Sequence, residues 1–497
     1  MATRTVSNTG GNWNALATWV EGAIPTTADD VVFTATSGQL TITAGSTCKT
    51  LNLSNYVNTI TFTSGLSVVG NINLGTGGYT QAGASVLGMG ASGTLTSNGV
   101  VWSRGFNITA GLTCTLADAA NISGVVTLSG TTITLNGFSL TCSNNAIYNG
   151  SITGTTQLLL TGTSKTLTVG GAGITNDLTI TGSYTQSGNL LYKTGTLTTT
   201  AGSLTAAALS IIGGCTLNCS NVTWTSIGIG TGFTGTVTLT SDLVTSGNFS
   251  HISVSGTATF NGSNLYIGGG LSASSGRFIA GTTNVIFNGT GLIAITGGIS
   301  TNVTINTAGT LTGGATIIAT GGTWTYTAGT WDFATNNTTF YIQGNVTMNT
   351  SGMTWRNITT SATPTVTLNS ALNISNLLSS TTSVTYAGTS GWTTGSYSVT
   401  TISLVITFAA SKTYTVTNAL TLTGTNAANV VFASSTPGTR YNFTLSPGAT
   451  QDVSFVNVTD ADSSLGQTIW EWKGTRSNTV NWNLLTAPLT VSYTFSS

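Results

Sequence analysis

The sequence predicts an all-β chain wound as a right-handed parallel β-helix, that is, a β-solenoid. Three observations predict it. Landmarks recur along the chain at a long, nearly constant period. A shorter beat of roughly 21 residues, in the range of a single solenoid repeat, runs inside that period. Val, Ile and Leu alternate with Thr and Ser, while only 4% of the residues are charged, against about 25% in ordinary soluble proteins.

The long period is read from three copies of one stretch. Trp102 leads to Leu116 and then to Thr134-Leu135-Asn136-Gly137. Trp224 leads to Leu239 and Thr259-Phe260-Asn261-Gly262, and Trp355 leads to Leu368 and Thr385-Tyr386-Ala387-Gly388. The intervals from Leu135 to Phe260 and from Phe260 to Tyr386 are nearly equal. A second landmark ends at Leu53, Ile180 and Ile305 with the same spacing, and a weaker fourth copy ends at Leu422. Such self-similarity marks one structural unit stacked several times, in which each part touches only its neighbours.

The short beat sets the size of one coil. Leu116, Leu135, Leu159 and Ile180 mark it. Gly, Asn and Ser cluster between them, as corner residues do. A coil of that length holds two or three short strands, so residues 37–440 would form roughly 19 coils, stacked at ~4.8 Å into a shaft on the order of 90 Å long. Runs such as Val125-Val126-Thr127-Leu128 put apolar residues on one face and Thr on the other. A string of β-sandwich domains, with a period of about 125 residues each, is the rival, but it requires strands every 8–12 residues. Tyr79-Thr-Gln-Ala-Gly83 and Tyr184-Thr-Gln-Ser-Gly188 look alike at an offset shorter than the long period, which reads as one coil gained or lost.

Composition excludes several classes. The 11 Lys and Arg are scattered singly from Arg4 to Arg476, so there is no electrostatic footprint for nucleic acid. Apolar runs such as Leu404-Val405-Ile406 are strand-sized and do not span a membrane. Gly is abundant at 64 and Pro scarce at 5, unlike a disordered tail. The five cysteines are expected to be small buried side chains; Cys215 and Cys219 on one strand face would lie about 13 Å apart, beyond disulfide reach. The first residues lack the apolar core of a secretory signal, so cytoplasmic synthesis and assembly is the expectation unless a leader has been removed.

Three regions are expected: an N-terminal cap and attachment segment over 1–36, the solenoid with its three long repeats over 37–440, and a closing coil and cap over 441–497. In the first, Trp13 and Trp19 precede Gly22, Pro25 and the strand-like Asp29-Asp30-Val31-Val32-Phe33. The paired tryptophans would cover the first coil, with sugar stacking as the alternative. Asp29 and Asp30 are adjacent and so face opposite ways in a strand. At the other end, Asp452, Asp460 and Asp462 lead to Ile469-Trp470-Glu471-Trp472 and Asn481-Trp482.

Both ends carry a resemblance. The paired-Trp opening over 1–36 resembles that of β-strand-repeat surface and virion proteins. The stretch from Asp452 onward is similar to the closing segment of repetitive β-helical proteins of bacteria and their phages. The resemblance implies a scaffold of the fibre, spike or adhesin type and supplies no catalytic residue.

Any hydrolytic chemistry would have to rest on the acids. Glycoside hydrolysis uses two carboxylates about 5–9.5 Å apart. Within 37–440 the acids are Asp118, Asp177, Asp242 and Asp332; Asp118 and Asp242 fall at equivalent turns of two repeats, where a solvated turn residue is expected. The single histidine, His251, has no nucleophile or acid at an informative spacing. Asp452, Asp460 and Asp462 could cluster oxygens for Ca²⁺, although the spacing is not that of a calcium loop. Trp470 and Trp472 share parity and would present two rings on one side as a glycan or receptor platform, or else seal the last coil. No catalytic residue, metal or cofactor is assigned.

The expectation is a non-enzymatic structural virion protein of a bacteriophage, a fibre, spike or decoration protein that adheres to host-surface receptor or glycan. Its partners would be other virion proteins, met through a terminal cap, and further copies of itself, trimers being common among such shafts. A secreted bacterial cell-surface adhesin and a polysaccharide-degrading β-helix enzyme are the alternatives.

Overall fold

A computed structural model describes the chain except residues 155, 171–172, 200–203, 220–221, 232, 234, 252–256, 274–276 and 486–497, and the side chains of 251 and 277–280. Strands make up 58% of it and helix 1%. They wind as a parallel β-solenoid of about 21 turns. Two compact units divide the chain, Met1–Thr245 and Ser246–Ser497, and each is built of stacked coils.

In the first unit a coil is three short strands joined by corners. Asp30–Val32, Leu40–Ile42 and Thr47–Cys48 make one coil, and Thr50–Asn52, Thr59–Phe62 and Leu66–Val68 the next. Each strand pairs in parallel with its counterpart one coil on: Val31 with Leu51, Leu40 with Ile60, Cys48 with Val68. These three steps are equal in length. Later ones are slightly longer, as from Ile72 to Leu95, or slightly shorter, as from Cys114 to Ile133. The expected coil length therefore holds. Stacking also begins inside the first 36 positions, since Thr3–Thr5 pairs with Asp30–Val32. That first coil is longer because it also carries the one-turn 3₁₀ segment Leu16–Thr18.

The period of two decides the core. Leu40 and Ile42 are buried while Thr41 between them is half-exposed, and the same alternation recurs in Leu140–Cys142 and Val126–Leu128. Fully burying each such apolar side chain contributes about 1.5–3 kcal/mol. At the corners the strand ladder breaks, and Asn and Thr side chains take up backbone carbonyls of the preceding coil. Asn136 Nδ2 donates to Leu116 O at 3.2 Å, Asn144 Nδ2 to Ser123 O at 3.1 Å and Thr63 Oγ1 to Ile42 O at 2.6 Å. These bonds help to satisfy the polar backbone at the corners, and they fit an exterior rich in Asn and Thr but poor in charge.

In the second unit several strands run through corners with a register shift, as in Thr354–Thr360, Leu372–Ser380 and Trp392–Val399. Its core is aromatic. Trp355 is fully buried, with ring centroids 4.4 Å from Phe340, 4.8 Å from Phe333 and 5.9 Å from Trp331. Further along, Phe408 stacks on Tyr441 at 4.5 Å and meets Phe432 edge-on at 5.1 Å. All five cysteines are free and buried.

Several sequence expectations are corrected. The short beat runs through Leu159 in the sequence, but Leu158 and Leu160 face inward and Leu159 outward. Val125 is likewise outward, 38% exposed, and the core takes Val126 and Leu128. Tyr79-Thr80-Gln81 and Tyr184-Thr185-Gln186 are not copies displaced by a coil. Thr80–Gly83 lies in a four-stranded sheet and Tyr184–Ser187 in a separate nine-stranded one. The long-period landmarks also occupy different columns. Trp102 stacks in a column with Ile122, Cys142, Leu160 and Ile180, whereas Trp224 pairs with Thr245 in another. Coils of unequal length let a fixed sequence spacing drift from one face to the next.

Candidate functional site

The candidate residues Trp470 and Trp472 lie on Ile469–Trp472, the middle of three consecutive parallel strands between Thr450–Ser454 and Trp482–Leu485. Register sets Trp472 between Ser454 and Leu485, and Trp470 beside Asn483. Ile469, Glu471, Val453 and Trp482 point inward and are buried. Parity then turns both tryptophans outward. Trp470 is 42% exposed and Trp472 half-buried. Together with Gln451, Asp452, Ser454 and Leu485 they line a groove of ≈ 400 Å³.

The groove is held by its surroundings. Gln451 accepts from the Trp470 amide at 2.8 Å and donates to Thr468 O at 3.0 Å, so it bridges two coils. Phe455 and Lys473 both adopt left-handed backbone, φ 55° and 63°, and these corners bring both side chains to Trp472. The Phe455 ring meets Trp472 edge-on at 5.5 Å, and the Lys473 ammonium sits 4.2 Å from its ring centroid. Trp472 is thus fixed by a cation–π contact, and Trp470 offers the freer ring. Asp452, exposed on the outward side of its strand, is the carboxylate among the described lining residues.

Sequence reasoning missed Glu471. It is 1% exposed, beneath the strand that carries the tryptophans. One carboxylate oxygen accepts from the Val456 amide at 3.0 Å, and the other has no partner among the described residues. Gly474 passes directly over it, where any Cβ would collide with Glu471 Oε1. Burial pushes the carboxyl up to about 7, against the opposing pull of the Val456 amide and Arg476. The alternation set Glu471 on the side opposite the two tryptophans, and the stacking of neighbouring coils turned that side inward.

The other candidates fall elsewhere. Asp460 and Asp462 do not share a strand face. Val456–Thr459 ends before Asp460, whose φ of 58° turns a corner, and Ala461–Asp462 begins a new strand. Asp460 is buried and accepts from the Gly438 amide at 2.9 Å and from Asn478 Nδ2 at 2.6 Å. Asp462 accepts from the Ser464 amide at 2.9 Å, and the Ser464 bonds together with Arg440 hold its carboxyl below the usual range. Among the described residues no three His, Cys, Asp or Glu side chains gather as a metal site would require.

Asp118 serves a turn. It accepts from the Ser97 amide at 2.7 Å and from the Asn98 amide one coil earlier. Asp332 caps its own turn through the amides of Ala334 and Thr335. His251 ends the strand Phe249–His251, and its side chain lies outside the described residues.

At the N-terminus Trp13 and Trp19 are buried, 0% and 2% exposed, edge to face at 5.0 Å, with Trp19 Nε1 donating to Trp13 O at 2.8 Å. No ring face is left there for a sugar. Asp29 and Asp30 do diverge. Asp29 is buried on Thr26, Ala2 and Arg4, while Asp30 accepts from Thr50 at 2.7 Å and pairs with Lys49 at 3.8 Å. Among the described residues no helix is long and apolar enough to cross a membrane. No family model matches this chain, and no curated protein or solved structure shows significant similarity to it.

Proposed function

We propose that the protein is a non-enzymatic structural protein of a bacteriophage virion, a fibre, spike or decoration protein whose stacked coils display an adhesive groove to glycans of the host surface. The observation that carries the adhesive reading is the outward pair Trp470 and Trp472 lining a groove of ≈ 400 Å³. Aromatic rings with an apolar face and a polar rim suit the alternating faces of a pyranose, and Asp452 and Ser454 supply hydrogen-bonding groups at its margin. Gln451 anchors the backbone beneath Trp470 and Lys473 holds the Trp472 ring beforehand, which lowers the ordering cost of binding. The structural reading draws on the stacked coils, the nearly charge-free Thr, Ser and Asn exterior and the resemblance of the two chain ends. In the particle a terminal segment would join the protein to its virion partners.

The adhesive reading is tested by titrating host-surface glycan fragments into the full chain and the Trp470→Ala variant. Loss of one stacked ring is expected to weaken binding about tenfold or more, with circular dichroism unchanged. Equal binding by both proteins refutes the groove as the site. Immunogold labelling of purified phage particles tests the location, and labelling confined to bacterial envelopes refutes it. Release of reducing or unsaturated ends from any bound glycan would establish turnover and overturn the non-enzymatic reading.

A further inference from the structure

Two corners distant in sequence carry the same pattern, Ser164-Lys165-Thr166-Leu167-Thr168-Val169 and Ser411-Lys412-Thr413-Tyr414-Thr415-Val416. They also share geometry. Each serine sits in left-handed backbone, φ 54° and 59°. A strand follows directly, with Leu167 and Val169 in one case and Tyr414 and Val416 in the other turned into the core. Each lysine has the same parity as these core residues, but it sits at the corner where the strand begins and is half-exposed there.

Each corner borders a groove on the coil surface. The groove at Lys165 measures ≈ 300 Å³ and is lined by Ser164, Thr166, Ser183, Thr185 and Thr205 around the ammonium-bearing residue. The groove at Lys412 measures ≈ 420 Å³, with Ser390, Ser411, Thr393, Thr413 and Thr415 among its walls. A buried aromatic residue backs each one, Tyr184 and Trp392, both 1% exposed. Among the described residues no carboxylate lines either groove. The ion pairs among the described residues, Arg4 with Asp29 and Lys49 with Asp30, involve neither lysine. In a chain whose exterior is almost free of charge, each groove thus has one lysine among lining residues that mostly carry hydroxyls.

An ammonium offers three donors and a full charge, and a hydroxyl both donates and accepts. That set complements an oxyanion carried on a hydroxylated ring. We propose that the Lys165 and Lys412 grooves are subsites for an acidic glycan, the lysine binding the carboxylate, sulfate or phosphate oxygen and the Ser and Thr hydroxyls binding the neighbouring sugar hydroxyls. The proposal extends adhesion to a charged ligand, and it does not depend on the aromatic groove, which lies on other strands.

The test uses the full chain at low salt with three polymers: oligogalacturonate, dextran sulfate and neutral dextran. Lys165→Gln, Lys412→Gln and the double variant are compared with Lys→Arg controls and with Trp470→Ala. The acidic polymers are expected to bind and neutral dextran not to bind through these grooves. Each Lys→Gln change is expected to weaken acidic binding about tenfold, the double change to abolish it, and both Arg controls and Trp470→Ala to preserve it. The preferred acidic polymer identifies whether carboxylate or sulfate ester is the better oxyanion. Binding by the double variant equal to the original, loss of acidic binding in Trp470→Ala alone, or no acidic binding at all would each overturn the proposal. A failure confined to neutral glycans would instead count against the aromatic groove.

Discussion

Replacing Glu471 by Gln removes a single ionisable group from beneath the strand that displays Trp470 and Trp472. Glutamine keeps the shape, still accepts from the Val456 amide, and stands in for the protonated acid. In the folded coil the carboxyl titrates at about 7, from an ordinary value of 4.5. The neutral acid is therefore the form the fold prefers. A group whose folded pKa is raised contributes stability that is complete below its unfolded pKa. That stability is lost as pH rises from the unfolded to the folded value, here from 4.5 to about 7. The gap corresponds to about 3 kcal/mol, or roughly a hundredfold in a local opening constant. The charged neighbours, Arg476 and Lys473, lie on the following turn and strand. Arg476 already draws the value down.

Hydrogen exchange of peptides covering 450–477, corrected for intrinsic rate, measures that opening directly, because the Val456 amide hydrogen is bonded to Glu471 itself. At pH 4 the two proteins should exchange alike. At pH 8 the original should open about a hundred times more readily than Glu471→Gln. Taking the ratio of the two proteins at each pH cancels the titration of every other group. A ratio that stays the same at pH 4 and pH 8 refutes the assignment of Glu471 as a buried, preferentially neutral acid.

Three further outcomes follow from the core and the corners. Trp355→Ala deletes a fully buried ring in contact with Phe333 and Phe340 and should cost about 3–5 kcal/mol, read from urea unfolding. Gly322→Ala forces a Cβ into the Thr301 carbonyl at φ 86°, and should cost at least the ~1–3 kcal/mol of a strained backbone. Gly438→Ala, at φ 83° with nothing within 4 Å among the described residues, should cost clearly less, and equal losses would show that packing between coils is not what reserves Gly322. Burial pushes the thiols of Cys114, Cys142, Cys215 and Cys219 up to about 12 and that of Cys48 higher still. The native protein should therefore leave a disulfide reagent unreacted at pH 8, and all five thiols should react once it is unfolded.

The sequence by itself determined the fold class and the length of a coil. Both follow from local chemistry: alternation of apolar residues with Thr and Ser fixes strands, and Gly, Asn and Ser fix corners. It also placed Trp470 and Trp472 on one side of one strand, since residues two apart always share a face. Which side faces out was left to the tertiary structure. A period of two has two solutions, and neighbouring coils choose between them. Leu158 and Leu160 face the core because they stack on Leu140 and Cys142, which leaves Leu159 outside. The same choice buries Glu471 and exposes Trp470. Coils also differ in length, the step from Phe340 to Ile358 being shorter than that from Ile317 to Phe340, and this carries equally spaced landmarks onto different faces. The partnership of Asp452, Ser454 and Leu485 with the two rings exists only because three separate coils stack in register, and no interval along the chain encodes that register on its own.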